Sequence, residues 1–119
     1  NGNDVCVNGH TYPSSTAVYT SVTSIEDEIS AMYADCSVED WDGYGACAIS
    51  AKAVENAKLF VNNFPEFFEN RTVEVVPDNG GILSIDIYNK DDSTMLSFNF
   101  MDDPLHVPLY VLPTNRAGK

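Results

Sequence analysis

The segment Asp40-Trp41-Asp42-Gly43-Tyr44-Gly45 sets two carboxylates and two aromatic rings on a stretch hinged by two glycines. Such a group could hold a sugar, a cation or a partner protein. Aromatic faces stack, carboxylates accept hydrogen bonds, and glycine reaches the positive φ that a tight loop needs. A structural role competes and is favoured. The glycines permit a sharp reversal, Trp41 plugs the junction between helix and sheet as a lone Trp usually does, and Asp42 caps backbone amides.

Metal and catalytic chemistry fare worse. Aligning Gly43 with the sixth position of an EF-hand loop puts Val38 and Ile49 at the first and twelfth ligand positions, and neither has a side-chain oxygen. Cys6-x-x-x-His10 offers two ligands where a tetrahedral zinc site needs four. His106, inside an apolar run, reads as an edge residue with a satisfied ring. No nucleophile elbow, His-Glu-x-x-His, P-loop or dinucleotide fingerprint occurs. The acids are too many to single out one acid–base pair. The expectation is a protein that is not an enzyme and takes neither metal nor cofactor.

Charge is the more telling property. Eighteen acidic residues stand against six basic ones, a formal charge of −12 on 119 residues. The acids cluster at Glu26-Asp27-Glu28, at Asp35 with Glu39, Asp40 and Asp42, and at Asp91-Asp92 and Asp102-Asp103. This balance repels nucleic acid and anionic lipid but attracts basic protein grooves. Glu26, Asp27, Glu28, Asp35, Glu39, Asp40 and Asp42 are the expected contacts if helix and loop share one side, with Trp41 and Tyr44 as aromatic anchors. The leading expectation is therefore an acidic, non-enzymatic binding protein. It would occupy a basic nucleic-acid-binding surface of a partner, as an inhibitor encoded by a phage or mobile element would. Two other readings stay open: a small ligand-binding or hydrolytic domain centred on Trp41–Tyr44, and an accessory domain of a larger protein. A merely solvated acidic surface accounts for the same charges more plainly.

The elements that must carry these residues are legible from their periods. Ile25, Ile29, Met32, Tyr33 and Cys36 fall at helical spacing, with Ser24 or Thr23 as the N-cap and the Glu26–Glu28 acids in the first turn. The helix should end near 35–37. Ser50 caps a second helix, with Ile49 and Val54 spaced as a hydrophobic staple. Its inner seam is Val54, Ala57, Val61 and Phe64, and Pro65 stops it. The period then changes to two: Val73 and Val75, then Leu83, Ile85 and Ile87, then Leu96, Phe98 and Phe100. Turns are expected at Asp78-Asn79-Gly80-Gly81 and Asn89-Lys90-Asp91-Asp92. The run Leu105–Leu112 is a fourth strand, held to an edge by Pro108. The fold class is α+β: two helices on one face of a three- to four-stranded antiparallel sheet, in the order ααβββ(β). Residues 1–20 form an arm or short hairpin about Asn8-Gly9, 21–113 the domain, and 114–119 a flexible tail.

Residues 40–100 resemble a family of small uncharacterised bacterial and phage proteins. These share a Trp-Asp-Gly-x-Gly-Ala element, here Trp41 to Ala46, a Ser-capped helix, here Ser50 to Phe64, and a Pro-Asp-x-Gly-Gly hairpin, here Pro77 to Gly81. The resemblance implies the helix-then-strand order and no particular activity.

Cys6, Cys36 and Cys47 are odd in number and irregularly spaced, which points to reduced thiols and a cytoplasmic setting; a Cys36–Cys47 bridge is the alternative. No apolar run approaches the ~18 residues a bilayer span needs. The chain opens on Asn1 without a signal-like segment, consistent with a trimmed, processed or partial chain.

Overall fold

The structure, a computed structural model, describes residues 16–18, 21–89 and 93–113. In chain order the elements are β1 (Thr16–Val18), α1 (Val22–Cys36), α2 (Ala51–Asn63), a 3-10 turn (Pro65–Phe67), β2 (Thr72–Pro77), β3 (Leu83–Tyr88), β4 (Thr94–Phe100) and β5 (Leu109–Pro113). The strands form one antiparallel sheet in that same order. The expected α+β architecture holds, with both helices preceding a four-stranded meander. The sheet also gains β1, which pairs with β2 through Thr16↔Glu74 and Val18↔Thr72. Three residues are too few for a period-two signal, so the sequence gives no sign of this strand.

Burial follows the alternation. Val73, Val75, Leu83, Ile85, Ile87, Phe98 and Phe100 point into the core from the sheet. Ile25, Ile29, Met32 and Cys36 meet them from α1, and Ala53, Val54, Ala57 and Val61 from α2. Burying a side chain of this size contributes about 1.5–3 kcal/mol. All six phenylalanines lie in one chain of ring contacts, with Phe60 within 5.0–6.0 Å of Phe64, Phe68, Phe98 and Phe100. α1 packs on β2, and α2 on β3 and β4.

Several local details differ from expectation. The cap of α1 is Ser21, whose hydroxyl accepts from the Ser24 amide at 3.2 Å. The helix thus starts earlier than a Thr23 or Ser24 cap would place it, and Glu26, Asp27 and Glu28 fall beyond its first turn. They gain little from the helix dipole there. Ser50 caps α2 as expected, its hydroxyl accepting from the Ala53 amide at 3.1 Å. Phe64 is the C-cap of α2, not part of its seam, and is 41% exposed because φ −131° breaks the helical phase there. β5 sits at the sheet edge, as Pro108 requires, but begins only at Leu109. His106 therefore lies exposed in the loop before it, with its amide donating to the Asp103 carbonyl.

The 78–81 hairpin closes as predicted, with the Asp78 amide donating to the Ile82 carbonyl and the Gly81 amide to the Asp78 carbonyl. Gly81 has φ +88°, and a Cβ there would sit 3.2 Å from the Ala48 carbonyl oxygen. Only glycine lets this turn press against the 46–48 segment. The expected Asn8-Gly9 hairpin, the Cys6–His10 pair and the 114–119 tail lie outside the described residues, as do Asp91 and Asp92.

Candidate partner-binding surface

The 39–48 loop is closed by its own polar groups. Asp40, at φ +64°, donates its amide to the Ala46 carbonyl at 2.7 Å, and its Oδ1 accepts from the Gly45 amide at 2.7 Å. Asp42 Oδ1 accepts from the Tyr44 and Ala46 amides at 2.8 and 3.1 Å. Glu39 Oε2 accepts from the Ala48 amide at 3.1 Å. Trp41 is half-buried against the core, and its indole N–H donates to the Cys47 carbonyl at 2.8 Å. A loop that must turn this tightly has few backbone partners in regular structure, so the carboxylates take that role. Tyr44 is exposed at the tip.

The helical acids divide between two flanks. At 3.6 residues per turn, Glu26 and Glu28 lie about 200° apart around α1. Glu26 faces α2, where it lines a cavity of about 340 Å³ with Val54, Glu55, Lys58 and Leu59. Asp27, Glu28 and Asp35 share the outer and opposite flank. Asp27 and Glu28 thus share a flank with Asp35, which lies about 11 Å further along the helix, while Glu39, Asp40 and Asp42 serve the loop. Glu26 stands apart.

Sequence reasoning missed a different carboxylate. Asp86, on central strand β3, lies on the sheet face away from the helices and is 7% exposed. The register sets it directly opposite Glu74 on β2 and Ser97 on β4. Its Oδ1 has no hydrogen-bond partner among the described residues. Burial pushes its pKa above the ordinary carboxylate range; a hydrogen bond from Ser97 opposes this, and the Glu74 charge adds to it. Glu74 accepts from the Tyr88 hydroxyl at 2.7 Å. The one available signal was the hairpin register, which pairs acids twelve positions apart. No group of three or more potential metal ligands occurs among the described residues.

The thiols correct another expectation. Cys47 is disulfide-bonded, whereas Cys36 is free and fully buried. The two are not joined to each other, and the thiols are not all reduced. Burial, with Asp35 and Asp42 nearby, pushes the Cys36 thiol up to about 12, so it carries almost no thiolate at neutral pH. Irregular spacing does not encode that Cys36 is the thiol left free.

No family model matches the chain, and no match was found among curated proteins or among solved structures. No helix among the described residues is long and apolar enough to cross a membrane.

Proposed function

We propose that this protein is a non-enzymatic binding module whose acidic surface docks onto a basic surface of a partner protein, of the type that otherwise holds nucleic acid. One observation carries the reading. The chain holds eighteen acids against six bases, and the bases among the described residues are Lys52, Lys58 and Arg71. Of these, the Lys58 ammonium is turned onto the Ser30 hydroxyl of α1. Asp27, Glu28 and Asp35 on α1 are the core of the docking face; the loop acids add field more than direct contact. Partner lysines and arginines would pair with these carboxylates in place of phosphates, so association weakens as salt rises. An inhibitory role of the kind phages and mobile elements encode is the finer form of this proposal.

The test is capture of host proteins on the immobilised chain, washed at stepped salt and challenged with duplex DNA. Nucleic-acid-binding proteins that leave at rising salt and are displaced by DNA support the reading. Capture that Asp27→Lys with Glu28→Lys leaves unchanged at low salt overturns it.

Redox chemistry offers a test of the compartment. A cytoplasmic setting would require reduced thiols, whereas the disulfide at Cys47 is of a kind that persists mainly in oxidising compartments. Alkylation of the protein in freshly lysed native cells, followed by mass analysis, decides it. An alkylated Cys47 keeps the partner in a reducing cytoplasm, whereas a blocked Cys47 moves the basic partner surface to an oxidising compartment.

A further inference from the structure

Five strands and two helices leave part of the sheet without a second layer. Leu109 pairs with Phe98 and Val111 with Leu96, so both β5 side chains share the face that elsewhere is core. Neither helix reaches them, and they are 51% and 65% exposed. The apolar surface continues onto α2. The Phe98 ring lies 5.1 Å from Phe60, Phe60 lies 5.0 Å from Phe64, and Phe64 lies 6.1 Å from Phe67. Phe64 and Phe67 are exposed. Between α2 and the 101–108 loop lies a cavity of about 200 Å³, lined chiefly by Leu59, Phe60, Phe64, Pro104 and Val107.

Among the described residues, the backbone of β5 is also open on one side. The Pro108 carbonyl accepts from the Asn99 amide, so by antiparallel alternation Leu109 and Val111 turn their own N–H and C=O groups away from β4. Natural sheets usually blunt such an edge with charge. Residues 109–113 carry none, on a chain of charge −12. Pro113 ends the run, which keeps the free edge short.

The rim selects the occupant. Glu66 lies beside Phe67 and is exposed; Asp103, also exposed, leads into Pro104, with its Oδ1 accepting from the Leu105 amide at 2.9 Å. No described base lines the cavity. A second copy would bring two acidic rims together, which charge opposes. We propose that the cavity between α2 and the 101–108 loop, together with the uncovered face of β5 that follows that loop, takes an extended segment of a partner protein, a short run of bulky apolar residues flanked on both sides by Lys or Arg. The apolar run lies along β5 against Leu109, Val111 and Phe64, and the flanking cations meet Glu66 and the surplus negative charge of the chain. The inference rests on the function proposed above only for the sign of the partner's charge.

The probe is a synthetic octapeptide with four Val and Phe residues between two pairs of lysines, titrated into the isotope-labelled full chain and followed by amide shifts. Its control carries Ser and Asn in place of the apolar four, at equal charge. The expected result is shifts confined to α2's C-terminal half and residues 103–112, with the control binding about tenfold more weakly. Leu109→Ser with Val111→Ser, and separately Glu66→Lys, should each weaken the apolar peptide about tenfold while circular dichroism stays native. Equal binding of the control, or shifts on α1 alone, overturns the groove. A dimer that Val111→Ser dissolves assigns it to a second copy and overturns it too. Because the serine pair leaves every charge in place, salt-sensitive capture through Asp27 and Glu28 survives it, so the two proposals fail separately.

Discussion

In the 39–48 loop the nominated carboxylates are bonded to their own backbone, whereas along β5 the apolar side chains stand open to solvent. The first region has the sharper sequence and the second the blander one, yet the free energy left unused lies in the second. A loop whose Asp40, Asp42 and Glu39 each accept from a nearby amide offers a partner weakened acceptors. A strand whose Leu109 and Val111 face the helix side uncovered gains roughly 25 cal/mol for each Å² that a partner removes from water. In a strongly charged small domain, concentrated polar residues can be the fold's own fastening, and contact area is better sought where the second layer stops.

This contrast can be broken by experiment, most forcefully at the aromatic floor the groove shares with the core. Phe68 is fully buried and stacks against Phe60, Phe67 and Phe98. Phe68→Ala should cost about 3–5 kcal/mol by urea denaturation; a loss below ~1 kcal/mol would mean the floor is not core. Next comes Asp42→Ala, which strands the Tyr44 and Ala46 amides. It should cost about 1–3 kcal/mol, and a neutral result would return Asp42 to the list of free partner contacts.

Asp86 supplies a test of opposite sign. Its folded pKa is raised, so it contributes stability below the ordinary carboxylate range that is lost as pH rises through the raised value. Asp86→Asn should therefore stabilise the fold at neutral pH by on the order of 1 kcal/mol, raising the melting temperature. It should also flatten the decline between acid and neutral pH, as scanning calorimetry across that range would record. An unchanged profile would mean the carboxyl is not the buried acid described. The smallest effect is expected from Leu109→Ser with Val111→Ser: about 0.5 kcal/mol or less per site, because surface changes of this kind are nearly neutral. A large loss would show that β5 is part of the core and not a surface awaiting cover.

What could be read before any coordinates were local in origin. Ser50 before an apolar helix, Pro65 at its end, Asp78 to Gly81 between alternating runs and Pro108 at an edge each act within a few residues of themselves, and each stands where expected. The α1 cap misled because Ser21, Thr23 and Ser24 compete within four positions, and only backbone geometry separates them. The resemblance and the acid clusters drew attention to the Trp41 loop, whose glycines did mark a reversal, but composition does not tell an acid that caps an amide from one that faces a partner. Other features depend on how distant segments meet. Strand register sets Asp86 against Glu74, Cys36 is left free while Cys47 is disulfide-bonded, and two helices spanning β2 to β4 leave β5 bare. Periodicity tells a residue which face to take; it carries no information on what, if anything, will lie across from that face.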